Sequence, residues 1–223
     1  MKFGENVIGK SGHPPFFALN NPAGIGLDAP GLRRGDALRT RVRSLSGFQK
    51  EAIVTSARTA QSWRLVSDEG PYLNGHDAAP CPLAFLTTGM IASYMNEIVA
   101  LAKIRNLRIG SLRLTQNNYY TMKGSMLKRT MVGGALPVEL QVEIDCDLND
   151  ADLNEFLISA VHASPLNGLM RGKLASLFAL SRNGVEIAPG NAERPDGAIL
   201  PDPLDIFSHA TPAPTVIELV KPV

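Results

Sequence analysis

Apolar positions recur at helical spacing in one long stretch of this chain: Leu83, Leu86, Met90, Tyr94, Ile98 and Leu101 follow one another at intervals of three and four. The pattern predicts an amphipathic helix over about 82–106. Pro82 suits its first turn, where a missing N–H costs nothing, and Lys103, Arg105 and Arg108 gather where cations favour the C-terminal dipole. Ahead of it, Glu51–Ser56 and Ser62–Ser67 read as two strands of a hairpin around Arg58-Thr59-Ala60-Gln61. Behind it, partial alternation over Leu107–Tyr120 (Leu112, Leu114) and clear alternation over Pro137–Leu148 (Val138, Leu140, Val142, Ile144) predict two more strands. The stretch Lys123–Gly134 between them reads as a polar connection. A second helix is expected from Asn149 or Asp150, carried by Leu153, Phe156, Leu157, Ala160 and Val161 and broken at Ser164-Pro165. Leu166–Lys173 reads as a short helical turn and Leu174–Leu180 as a closing strand.

The flanks differ. Residues 1–46 are rich in Gly and Pro and read as an extension of loops, 47–185 as the folded domain, and 186–223 as a second extension whose Thr215–Val220 resembles a strand. The whole is expected to be an α+β protein.

Composition narrows the partners. With 44% hydrophobic and 19% charged residues, the 223-residue chain is expected to be globular. A formal net charge of +1 gives no reason to expect nucleic acid or a membrane surface, and the Arg33–Arg43 cluster is interrupted by Asp36. No run of eighteen apolar residues is present, the first residues lack a signal-peptide pattern, and two cysteines make no disulfide framework. These features predict a cytoplasmic location. His13, His76, His162 and His209 are scattered without ligand spacing, so neither metal nor cofactor is expected.

Local motifs then carry a resemblance. Asp68-Glu69-Gly70-Pro71, Asn74-Gly75-His76-Asp77 and Pro80-Cys81-Pro82-Leu83 lead into the long helix, and Ala160–Leu166 ends the second. In that order they resemble the OsmC/Ohr family of thiol peroxidases, over roughly Phe48–Val185. The resemblance implies an OsmC-like fold, with a long central helix packed against antiparallel sheets in an intertwined homodimer. It also implies paired sites at the subunit interface, an organic hydroperoxide as substrate, and two reactive cysteines supported by an arginine and a glutamate. Counted from Pro82, the resemblance implies the first of those cysteines at Ser93 and the glutamate at Leu83, and it implies the second at Ser164, immediately before Pro165. Arg58 or Arg64 would supply the arginine.

Three readings follow. The first is a non-redox protein with an interfacial pocket for a small apolar ligand, on the helix face shared by Leu86, Met90, Ser93 and Glu97. In the second, Cys81 acts as the thiol of a one-cysteine hydroperoxide reductase, near a helix N-terminus that can lower a cysteine pKa. The third is hydrolysis, with Ser93 or Ser164 as nucleophile and His162 as base.

Overall fold

The computed structural model describes residues 4–32, 35–172, 174–190, 192–196 and 206–212. The chain is α+β and divides into two compact units, one built from Met1–Pro82 and Ser176–Val223, the other from Leu83–Ala175.

The first unit carries a four-stranded antiparallel sheet. Its strands are β1 (Phe16–Ala18), β2 (Leu38–Ser44), β3 (Lys50–Ser56) and β4 (Ser62–Ser67), in the order β1-β4-β3-β2. β3 and β4 form the expected hairpin, with Ala60 in the left-handed region at its turn. The leading segment is not only loops: it supplies a short helix α1 (Val7–Ser11), β1 and the edge strand β2. β2 reads as a basic, solvated stretch because its alternation sets Arg39, Arg41 and Arg43 on one face. That face is neutralised, since Asp28 pairs with Arg39 and Arg41 and Glu51 holds Arg43 at 2.8 Å. Phe17, Leu19, Leu27, Ile53 and Ile206 form the main core of this unit.

Beside it lies a buried polar knot. The Gln49 side-chain oxygen accepts the backbone N–H groups of Val7 (2.8 Å) and Ile8 (3.0 Å), and its amide nitrogen donates to Asn6 and to Asp68. The Asp68 carboxylate, wholly buried, also accepts N–H groups from Glu69, His76 and Ala78 at 2.8–3.2 Å. Burial by itself would raise this carboxyl's pKa; the four donors outweigh it and hold the group below its ordinary value. The segment beginning Asp68-Glu69-Gly70-Pro71 therefore folds around a charged acceptor that satisfies its own backbone.

The tail of this unit differs from expectation. Leu174–Ala179 is not a strand; only Leu180–Arg182 (β9) pairs, with Val185–Ile187 (β10). Asn183 and Gly184, both at positive φ, make the tight turn between them, a signal available in the Asn-Gly dipeptide. The expected strand Thr215–Val220 lies outside the described residues.

The second unit is built on the long helix α2 (Pro82–Ile104), followed by β5 (Ile109–Asn117), β6 (Tyr120–Lys123), β7 (Val132–Ala135), β8 (Glu139–Cys146), α3 (Asp150–Ala163) and α4 (Pro165–Arg171). β5 and β8 are the two strands that the alternation predicts, and the structure pairs them antiparallel. Lys123–Gly134 is not merely a connection: its ends belong to β6 and β7, which pair with each other from Tyr120↔Ala135 to Lys123↔Val132. Ile98 and Ala102 of α2 and Phe156 and Ala160 of α3 are buried together, with Leu112, Leu114 and Ile144 packed on them from the sheet. Helical period on two elements and a period of two on two strands thus supply one core.

α2 is long and apolar enough, by length and composition, to cross a membrane, and in this unit its Met90-Tyr94-Ile98-Ala102 stripe is the buried one. α3 begins at Asn149, whose side chain accepts from the N–H groups of Ala151 and Asp152. Asn149→Ala is expected to lower stability by about 1 kcal/mol, read as a shifted urea midpoint at unchanged m-value.

Candidate functional site

Ser93 sits in the middle of α2, on the turn after Met90. Ser164 sits where α3 stops and α4 starts, because a residue before proline is driven out of the helical region; its φ and ψ are −63° and 124°. That extended conformation makes Ser164 the N-cap of α4, and its hydroxyl accepts the Asn167 N–H at 3.3 Å. The Asn167 side-chain amide in turn donates to the Val161 carbonyl at 2.9 Å. The same Ser164 hydroxyl lies 2.8 Å from the hydroxyl of Ser93, and Ser164 is only 1% exposed while Ser93 is half-buried. Two serines separated by 71 residues are thus joined by one hydrogen bond tying α2 to the α3–α4 corner.

The chemistry open to this pair is limited by its neighbours. Among the described residues, the two hydroxyls bond to each other and to the Asn167 N–H, and no imidazole or carboxylate reaches either. An alcohol without a base stays an alcohol near neutral pH. His162 is exposed, and its backbone carbonyl accepts from Arg171 at 3.3 Å. The structure therefore brings Ser93 and Ser164 together without placing His162 as their partner.

The remaining expected residues fall in different surroundings. On α2, Met90 is buried, Glu97 is half-buried with no ion pair among the described residues, and Leu86 is exposed. Tyr94, one residue beyond Ser93, is buried; burial pushes its phenol pKa up, and the positive charge of Arg171 opposes this. Arg64 of β4 is committed: it donates to Glu51 at 2.5 Å and lies over the Phe17 ring at 5.2 Å. Arg58 is exposed, 3.7 Å from Asp36. Cys81 and Cys146 are free, half-buried thiols. Eleven residues of helical rise from Pro82 to Ser93 amount to about 16 Å along the α2 axis, so Cys81 and the serine hydroxyls are not one constellation within the chain.

Two polar residues were not anticipated. Gln116 and Asn118 occupy inward positions at the end of β5, where Leu112 and Leu114 set the apolar alternation. Their amides face the Met90 sulfur, at 4.0 Å for Gln116 and 3.6 Å for Asn118, and Gln116 donates to Asn118 at 2.7 Å. The Gln116 side-chain oxygen is buried without a partner among the described residues. An amide where the strand period calls for an apolar side chain is the signal that marks this spot in the sequence. A separate cleft of about 320 Å³, lined by Arg105, Asn106, Leu107, Leu148, Asp152 and Glu155, lies at the far end of α2 and contains none of the expected pocket residues.

No protein-family model matches the chain, and no curated protein does. Among solved structures it is similar to an OsmC-like hydroperoxide resistance protein from Jannaschia sp., at 17% identity over 69% of this chain and 99% of the other, with a TM-score of 0.45. An OsmC-like protein from Mycoplasma pneumoniae is similar at 15% identity, over 63% of this chain and 90% of the other, with a TM-score of 0.46. An organic hydroperoxide resistance protein OsmC from Legionella pneumophila is similar at 17% identity, over 60% and 90%, with a TM-score of 0.43. What this chain is similar to is thus a group of OsmC-like proteins, two of these three described as hydroperoxide resistance proteins.

Proposed function

We propose that this protein is an OsmC/Ohr-like homodimer that has given up thiol redox chemistry and binds a small apolar ligand. The 2.8 Å hydrogen bond between Ser93 and Ser164 carries the reading. It sets two hydroxyls at hydrogen-bonding distance, at the positions that the motifs equate with the family's reactive cysteines. Thiol peroxidase chemistry needs a thiolate that becomes a sulfenic acid, and a second thiol that displaces the oxygen as water. Oxygen in place of sulfur supplies neither the low-pKa nucleophile nor the sulfenic stage. What the pair can do is hold α2 against the α3–α4 corner.

Ligand binding is supported by the unmatched polar groups beside that pair. Glu97 shares a helix face with Met90 and Ser93, and the Gln116 oxygen lacks a partner among the described residues. These are the few fixed polar groups that orient a ligand in otherwise apolar surroundings. A second copy of the chain is supported by the apolar side chains left exposed: Leu83, Leu86, Val99 and Ile104 on α2, and Phe16, Leu38, Val42 and Trp63 on one face of the four-stranded sheet.

The purified protein, given an organic hydroperoxide and a dithiol, is expected to show no turnover above the uncatalysed rate. Native mass spectrometry is expected to show two chains with a co-purified small molecule. Hydroperoxide turnover that disappears in Cys81→Ser would overturn the proposal in favour of a one-cysteine reductase.

A further inference from the structure

The β6–β7 hairpin ends in a loop whose shape is built in. Ser125 N–H donates to the Thr130 hydroxyl at 3.1 Å, Thr130 N–H returns to the Ser125 carbonyl at 3.1 Å, and Arg129 N–H reaches the Met126 carbonyl at 3.1 Å. Gly124 adopts φ +99°, and a Cβ there would fall 2.0 Å from the Thr130 carbonyl oxygen, so only glycine fits the closure. The base of the hairpin is held too: Tyr120 and Thr87 of α2 share a hydrogen bond at 3.1 Å, and Tyr119 donates to Glu139 at 2.8 Å.

What this ordered loop displays is unusual for a surface facing water. Leu127 is 97% exposed, Met126 74% and Met122 68%. Lys123, Lys128 and Arg129 stand among them, with no ion pair for any of the three among the described residues. Between Asn118 and Val138 the sequence has no acidic residue at all. A chain-wide net charge of +1 conceals this local excess of three cations. Apolar side chains at an apex, cations beside them and tyrosines behind is the order in which side chains partition across the boundary between lipid and water.

We propose that the tip of the β6–β7 hairpin is an anchor for an anionic lipid surface: Met126 and Leu127 enter the headgroup region while Lys123, Lys128 and Arg129 meet lipid phosphates and carboxylates. The charge argument selects this occupant. A purely apolar tip suits any hydrophobic partner, whereas three unpaired cations around it require a negative one, and a protruding apex needs no matching groove in a bilayer. Each lysine or arginine near such a surface raises the bound population several-fold. The proposal is independent of the serine pair and of the ligand reading.

The test is co-sedimentation of the full chain with vesicles of phosphatidylcholine alone or mixed with phosphatidylserine. Binding is expected to the mixed vesicles and not to the neutral ones, and to fall as salt is raised. Met126→Ser with Leu127→Ser, and separately Lys128→Glu with Arg129→Glu, are each expected to reduce the bound fraction on the order of tenfold. All four side chains lie outside the cores, so circular dichroism is expected to be unchanged in both variants. Failure to bind the phosphatidylserine vesicles overturns the proposal. Two other results do so as well: a change of native mass in the Met126→Ser, Leu127→Ser variant, which assigns the tip to a second copy, and tight binding of a single-stranded oligonucleotide that ignores those two substitutions.

Discussion

Replacing Ser93 and Ser164 together by cysteine is expected to give a protein that closes an internal disulfide on exposure to an organic hydroperoxide. The two hydroxyls are already 2.8 Å apart, and the longer Cβ–S bonds bring sulfurs on the same carbons within bonding range. One thiolate attacks the peroxide, the O–O bond breaks, and an alcohol leaves after taking a proton. The sulfenic acid then loses water to the second thiol. Intact mass falling by two hydrogens, reversed by a dithiol, reads the event directly. The bridge closes a loop of about 71 residues, for which chain entropy estimates a stabilisation of roughly 4 kcal/mol. The oxidised variant is therefore expected to melt on the order of 10 °C above its reduced form. Wild-type protein treated identically should close no bridge between positions 93 and 164 and should keep its melting temperature. If the double variant stays reduced under peroxide, the pair is not held in the geometry that the function proposal depends on.

The second large effect is structural and lies in the first unit. Asp68→Ala removes a wholly buried acceptor that serves three part-buried backbone N–H groups and the buried Gln49 amide. Each buried donor left unmatched costs about 1–3 kcal/mol, and partial relaxation brings the expected total to roughly 3–5 kcal/mol. A variant melting within a few degrees of wild type would contradict the role given to this carboxylate. Its pH dependence has a definite sign. The folded pKa is depressed by the four donors, so the stability it contributes is fully present above the unfolded value near 4. That contribution is lost as pH falls through the folded value. Urea unfolding of wild type against Asp68→Asn is expected to show a stability difference that is constant from about pH 5 to 7 and shrinks below about pH 4.

How much of this was legible differs from element to element. α2, α3 and the β3–β4 hairpin are visible because each buries a stripe or face whose period survives in the sequence. β2 is not, because its cations sit on the side that Asp28 and Glu51 neutralise, and a strand whose inward face is salt-bridged has no apolar alternation to read. The β6–β7 hairpin is hidden for a related reason: all its strand residues but the half-buried Thr121 stay exposed, so the pairing leaves no hydrophobic pattern. Asp68 appears in the sequence only as part of a motif; its work as an acceptor depends on Gln49, 19 residues earlier, reaching it across the fold.

The serine pair divides in the same way. That neither residue can run a thiol cycle follows from their identity, since a hydroxyl has neither the acidity nor the oxidation states of a thiol. The helix periods and the break before Pro165 are equally local, because backbone geometry repeats over a few residues and leaves its mark in side-chain spacing. That Ser93 and Ser164 share one hydrogen bond, with no base beside them among the described residues, needed the packing of α2 against α3. A contact between residues 71 apart is set by the shape of the core that forms between them, and no periodicity along the chain encodes that shape.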